Sequence, residues 1–226
     1  MLNVFFSPTQ AFTRLKDKPS WWLPLLITVL VTLVVTVVST RYFDWETQRQ
    51  RVIEQLESRN MTPEQIEQAT AQMEKFWSSP IMRFGMPVAS ALVMQLAAVF
   101  VLALIYNLAM PLLGSTGNYL RSLSVVCLAS LVSIPAGIVK VLLVLLKRSA
   151  EVSTSLLLAA PNLKSGFLQV LFSRVDPFAF WQLILMAFGL KVVFDLKGPK
   201  SYLMVFIVWL AFTLIFASLG LFRPQQ

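Results

Sequence analysis

Residues 21–40 read "WWLPLLITVLVTLVVTVVST". The run carries no charge, and as a helix it covers about 30 Å, the thickness of a bilayer's hydrocarbon core. Trp21 and Trp22 open it and Arg41 follows it. Tryptophan favours the headgroup level and arginine the water beyond, so both ends carry the marks of a membrane span. The run is longer than the apolar part of a secretory signal, and about twenty residues precede it. It is therefore expected to remain as a span, although "VVSTR" loosely mimics a cleavage site.

The whole chain agrees with its first span. Of 226 residues, 57% are hydrophobic and 13% charged. A soluble domain of this size could not hide that much apolar surface, so the class is an integral membrane protein. The net charge of +8 belongs to basic residues beside apolar runs, which act as topology signals and meet anionic headgroups. Lipid is the expected partner and nucleic acid is not. The absence of histidine and the single Cys127 exclude a histidine-based triad, a histidine-ligated zinc site and an intrachain disulfide. No cofactor or metal is expected. Cys127 lies in an apolar run and is expected to be buried and inert.

Residues 1–20 form a separate segment. Ser7, Pro8 and Gln10 predict a capped helix start. Phe5, Phe6, Phe12 and Leu15 give this helix an apolar side, and Arg14, Lys16 and Lys18 a basic one. The pattern predicts an interfacial helix along a membrane surface, anchored by those three cations together with Trp21 and Trp22.

Residues 41–80 are polar and acidic. Trp45, Val52, Ile53 and Leu56 share one helical face; Ile66, Ala69, Met73, Phe76 and Trp77 share another. Between them "NMTPEQ" stops one helix and starts the next, with Thr62 as cap, Pro63 at the first position and Gln65 closing a capping box. This predicts an αα-hairpin outside the bilayer, whose stripes either pack together or dock a partner. Residues 81–226 supply four more spans, near 84–112, 119–146, 177–195 and 200–221. Pro135 is expected to kink the third, because it cannot donate to the carbonyl of Leu131. Asp176 and Pro177 cap and start the fourth. Leu163, Phe167, Leu168, Leu171 and Phe172 mark another surface-lying or re-entrant helix in the connection before it. The fold class is all-α: a single polytopic bundle of about five transmembrane helices with an extramembrane hairpin between spans one and two.

Five spans put the termini on opposite sides. The N-terminal side carries seven basic and two acidic residues, the other side eleven and nine. The raw basic tally favours the second side as cytoplasmic. Much of it lies in the hairpin, however, whereas Arg14, Lys16 and Lys18 abut the first span, and first loops usually dominate. The expectation is N-terminus in, C-terminus out.

Four polar residues are candidate in-membrane contacts: Lys140, Asp176, Gln95 and Asn107. Lys140 interrupts "GIVKVLLVLLKR" (137–148). It lies about 9 Å inside the third span by helical rise, within reach of a snorkelling side chain. Helical Cβ atoms tilt towards the N-terminus, away from the nearer water, which favours an internal partner instead. Asp176 is on the same side and Gln95 nearer mid-membrane. Snorkelling, a Lys140–Asp176 contact and a relay role remain open, and Asp176 can serve as a helix cap alone.

Three blocks carry a resemblance. "FFSPTQAFTRLKDKPSWWLPL", with Pro8, Phe12, Pro19, Trp21, Trp22 and Pro24, resembles the opening of bacterial members of the Yip family, the Ypt/Rab-GTPase-interacting membrane proteins. "GNYLRSLSVVCLASLVSIP" resembles the family's third-span region. "VDPFAFWQLILMAFGL", with Asp176, Phe178, Trp181 and Gly189, resembles its fourth. The resemblance covers nearly all the chain except the 44–77 hairpin. It implies a five-span helical membrane domain with a cytoplasmic N-terminus, here in a bacterial inner membrane. Eukaryotic relatives act in vesicle traffic through Rab GTPases and membrane shaping, a pathway absent from prokaryotes, so fold transfers better than function. No established catalytic residue comes with the family.

Three functions compete. A non-enzymatic adaptor or organiser would bind other membrane proteins, or copies of itself, or shape lipid. A small transporter or channel would use the polar in-membrane residues; against it, Gln95 and Asn107 can simply bond across helices. An intramembrane enzyme is not expected, since Asp176 and Asp195 lie at opposite ends of span four, roughly 28 Å apart.

Overall fold

A computed structural model describes residues 3–159 and 167–221. Leu163, expected on a surface helix, and the C-terminal residues 222–226 lie outside them. Among the described residues every regular element is helical. The chain begins with α1 (Asn3–Phe6) and α2 (Pro8–Asp17), then α3 (Trp22–Arg41), the first span. The hairpin is α4 (Trp45–Ser58) and α5 (Pro63–Ser78). A π-helical turn (Ile81–Gly85) leads into α6 (Met86–Ala109). Then come α7 (Tyr119–Ala129), a 3-10 turn (Ser130–Val132), α8 (Ser133–Lys147), α9 (Phe167–Arg174), α10 (Pro177–Val193) and α11 (Lys200–Leu221).

Four helical stretches are long and apolar enough to cross a membrane: Trp22–Arg41, Ile81–Ala109, Tyr119–Lys147 and Lys200–Ser218. The pair α9 and α10 supplies a fifth if taken together, bent by 61°. The chain is therefore an all-α polytopic membrane protein. Its outward faces expose Leu30, Val34, Leu104, Leu108, Ile207 and Leu214, an apolar surface that suits lipid and would be untenable in water.

The third span is the centre of the fold. Residues 122–132 are all buried. Its first half, α7, packs against α6, α10 and α2, while its second half, α8, packs against α3. The helix changes character between the halves at the 3-10 turn just before Pro135. The expected cause operates: Pro135 has no N–H for the Leu131 carbonyl, and the chain tightens there instead of continuing as α-helix. Beyond the break, Gly137 lets α3 approach closely, since a Cβ there would fall 2.7 Å from Val31 Cγ1. The two helices also finish together, with Ala150 N donating to Tyr42 O at 3.1 Å.

The N-terminal segment departs from expectation. Most of its apolar face is covered by the bundle, while Phe6 is 87% exposed. Val4, Phe12 and Leu15 are buried, and α2 packs against α10 and α7. Phe5 meets Trp181 with ring centroids 5.4 Å apart, Phe12 meets Phe188 at 6.2 Å, and Lys16 meets Asp195 at 2.5 Å. These pairs advance in step along both segments, so α1 and α2 run parallel to α10 as members of the bundle. The seat is Gly189: a Cβ there would fall 2.5 Å from Phe12 Cε1 and 2.8 Å from Val125 Cγ1. Periodicity identifies an apolar face but not what covers it. The expected capping box is also absent, as the Ser7 side chain makes no capping bond. α1 leads straight into α2, and Ser7 serves through its backbone, its carbonyl accepting from Ala11 N at 3.2 Å.

Candidate functional site

The structure disperses the four polar in-membrane residues. Lys140, on α8, is exposed and lines a groove of about 310 Å³ between α3, α8 and the start of α6. Thr36, Ser39 and Thr40 of α3 share the groove with Trp45, Pro87 and Ala150. Lys140 makes no hydrogen bond or ion pair among the described residues. No carboxylate is among the residues that line the groove.

Asp176 is engaged elsewhere. Its Oδ1 accepts from Phe178 N at 2.7 Å and Ala179 N at 3.4 Å, and its Oδ2 accepts from Thr154 Oγ1. A carboxylate here satisfies the unpaired N–H groups of the first turn of α10 and sits favourably at the positive end of its dipole. It also ties the 149–159 connection to the start of that helix. The structure does not bring Lys140 and Asp176 together: the capping geometry that "DP" predicts has taken the carboxylate.

Gln95 and Asn107 both sit on α6, part-buried, and neither lines the Lys140 groove. Gln95 Oε1 and Asn107 Oδ1 are sealed from solvent without a partner among the described residues. Asn107 lies at the end of α6 under Gly117, where an added Cβ would fall 2.8 Å from Asn107 Oδ1. One polar contact that sequence did not single out is present nearer the centre: Gln182 Nε2 donates to Ser130 Oγ at 3.2 Å. It joins α10 to the 3-10 turn of the third span. Nothing in its spacing marked it, because the two residues are distant in sequence.

The basic anchors divide. Arg14 and Lys18 are exposed, whereas Lys16 pairs with Asp195 across the bundle's N-terminal side. Trp22 faces outward at 59% exposure, and Trp21 packs edge-on to Phe100 of α6, ring centroids 6.3 Å apart.

The hairpin is built as its sequence predicts. Asp44 caps α4 through Thr47 N at 3.1 Å and Thr47 Oγ1 at 2.6 Å, and these bonds hold its carboxyl below the usual range. Thr62 and Gln65 form the reciprocal capping box at the start of α5. Asn60 takes the left-handed conformation at the corner, φ 56°, which asparagine tolerates better than most residues. At the membrane end, Trp45 contacts Trp77 and Phe43, with centroids 5.0 and 4.5 Å apart. Arg51 reaches Glu151 of the α8–α9 connection at 3.2 Å. Further out the packing thins. No residue of α4 is buried, and α5 buries only Thr70.

Comparison with known proteins places this architecture. A family model described as the Yip1 domain matches residues 2–219. The membrane protein YknW of Bacillus subtilis (strain 168) is 24% identical over 209 residues, covering 92% of this chain and 84% of the relative. No solved structure matches the chain. With the family match running from the first turn of the N-terminal segment to the last span, hairpin included, the chain belongs to the Yip1 domain family of membrane proteins.

Proposed function

We propose that this protein is a non-enzymatic adaptor or organiser in a bacterial cytoplasmic membrane, with the loop before its first span cytoplasmic and its C-terminus outside. It binds another membrane protein, or a second copy of itself, through the α4–α5 hairpin. The observation that carries this reading is the incomplete packing of that hairpin. Helices of 14 and 16 residues are marginal in water unless an apolar face is covered. Here Ile66 and Met73 are half-buried rather than buried, and Phe76 is 45% exposed. A docked partner would complete those faces. The test replaces residues 45–78 with a short Gly/Ser linker and purifies both chains in mild detergent. Loss of a stoichiometric partner with the hairpin is the expected result; identical partner sets would refute it.

A second reading, a small transporter or channel, draws support from the Lys140 groove. An exposed cation in a groove shared with Thr36 and Ser39 is a candidate substrate contact. Substrate-dependent flux in proteoliposomes that Lys140→Leu abolishes would favour transport; no flux over a broad panel would dismiss it.

A further inference from the structure

The outward face of α2 is polar, although α2 packs within the bundle. Thr9, Gln10, Thr13, Arg14 and Asp17 are all exposed and form one contiguous patch. Their spacing is that of a single helical face. Phe12 and Leu15 lie off that face and are buried against the bundle.

The depth of the patch gives it meaning. Phe12 sits on Gly189, about 9 Å below the level of Asp195 by helical rise along α10. Because α2 runs parallel to α10, Gln10 lies deeper still, about 12 Å below that level. Elsewhere the outward faces of the spans carry Leu30, Val34, Ile207 and Leu214. Lipid tails offer a polar side chain nothing in place of water. Thr13 meets its own need, since its Oγ1 donates to Thr9 O at 2.7 Å. Gln10 has an amide with two donors and an acceptor to satisfy. Between membrane helices, side chains of this kind hold one helix to another.

The patch complements itself. Glutamine is both donor and acceptor, so two copies of Gln10 can pair. Arg14 and Asp17 carry opposite charges, and neither enters an ion pair among the described residues. Two copies of one chain insert in the same orientation, so a two-fold axis along the membrane normal sets like residues at like depth. Arg14 then lies one turn, about 4.5 Å of rise, from the level of Asp17 in the second copy, within reach of its long side chain. We propose that this face of α2 is the contact of a homodimer, with Gln10 paired to Gln10 and Arg14 to Asp17 across the two-fold axis. The surface is separate from the hairpin, so the two docking claims stand independently.

The test combines disulfide trapping with a dilution series on the full chain. With Cys127 replaced by serine, Gln10→Cys and Thr13→Cys should each oxidise in native membranes to a species of twice the chain's mass. Leu142→Cys, exposed on α8, should stay monomeric. Single-molecule photobleaching in liposomes, read against the protein-to-lipid ratio, gives the dissociation constant. Two symmetry-related hydrogen bonds of average strength between membrane helices correspond to about tenfold, so Gln10→Leu should weaken the dimer by that factor. Arg14→Asp should weaken it too, and Arg14→Asp combined with Asp17→Arg should restore it, which a loss of folding would not allow. Each variant should elute in detergent as a single folded species. Trapping no greater than at Leu142→Cys, an unchanged dissociation constant for Gln10→Leu, or no rescue by the charge swap would overturn the proposal. So would a trapped adduct containing a different protein. Rapid labelling of Thr13→Cys by a membrane-impermeant maleimide at dimer-forming densities would also overturn it, by showing that water covers the face.

Discussion

Replacing Gly189 by alanine tests the seating of the N-terminal segment, because Phe12 supplies the two shortest contacts a new side chain would meet. If α2 lay on a membrane surface away from α10, only Val125 would oppose the gain of about 0.8–1 kcal/mol from removing a flexible residue from a helix interior. In the structure the new Cβ would instead fall 2.5 and 2.7 Å from Phe12 and 2.8 Å from Val125. Carbon atoms rest roughly 3.5–4 Å apart, so two side chains must each retreat by about 1 Å. Neither has space: Phe12 and Val125 are fully buried. Overpacking of this kind costs about 1–3 kcal/mol, which outweighs the propensity gain in all but its mildest cases. The net expectation is a loss of about 1 kcal/mol for alanine and a larger loss for Gly189→Leu. Equilibrium unfolding in mixed micelles measures the first quantity. Thiol labelling measures the second: with Cys127 replaced by serine, Leu15→Cys should react slowly in the wild-type background and faster beside Gly189→Leu, as α2 lifts away. A stabilising Gly189→Ala, or labelling at Leu15→Cys indifferent to residue 189, would refute the parallel seating of α2 on α10.

Lys140→Leu should leave folding and abundance unchanged, and its combination with Asp176→Ala should be additive within about 0.5 kcal/mol, as befits residues without a shared contact; coupling in a double-mutant cycle would contradict the dispersed arrangement. Asp176→Ala alone should cost about 0.5–2 kcal/mol through loss of the α10 cap, read by the same unfolding assay. Thr62→Ala should destabilise α5 by about 1 kcal/mol and speed amide exchange in its first turn without altering the spans. Asp44 has a folded-state pKa depressed chiefly by its bond from the Thr47 hydroxyl, so its contribution to α4 is complete above its unfolded value and lost as pH falls through the folded one. Protection of the Thr47 amide should therefore decline on acidification, and Asp44→Asn should flatten that profile.

The parts of the fold that were legible in sequence are those governed locally. Capping chemistry announces itself within a few residues, and Asp176, Thr62 and Gln65 perform the roles their spacing predicts, whereas Ser7 does not, because α1 runs straight into α2. Pro135 dictates a break one turn upstream of itself, and the 3-10 turn stands there. The apolar runs mark spans because the bilayer sets their length. What sequence could not supply is the identity of partners across the bundle. The amphipathic pattern of α2 is the same whether lipid or α10 covers it, and only the tertiary register from Phe5–Trp181 to Lys16–Asp195 decides. Lys140 posed the same difficulty: the tilt of its Cβ argued for an internal acceptor, but α3 and α8 leave a groove that admits the side chain without one.

Docking of another membrane protein on the hairpin can be caught in living cells by photo-crosslinking amino acids placed at Ile66, Met73 and Phe76, with the exposed Leu108 of α6 as control. One protein adduct of the same mass is expected from the three hairpin positions, in near-stoichiometric yield, and only lipid adducts from Leu108. Absence of any protein adduct from the hairpin, or adducts no different from those at Leu108, would contradict it.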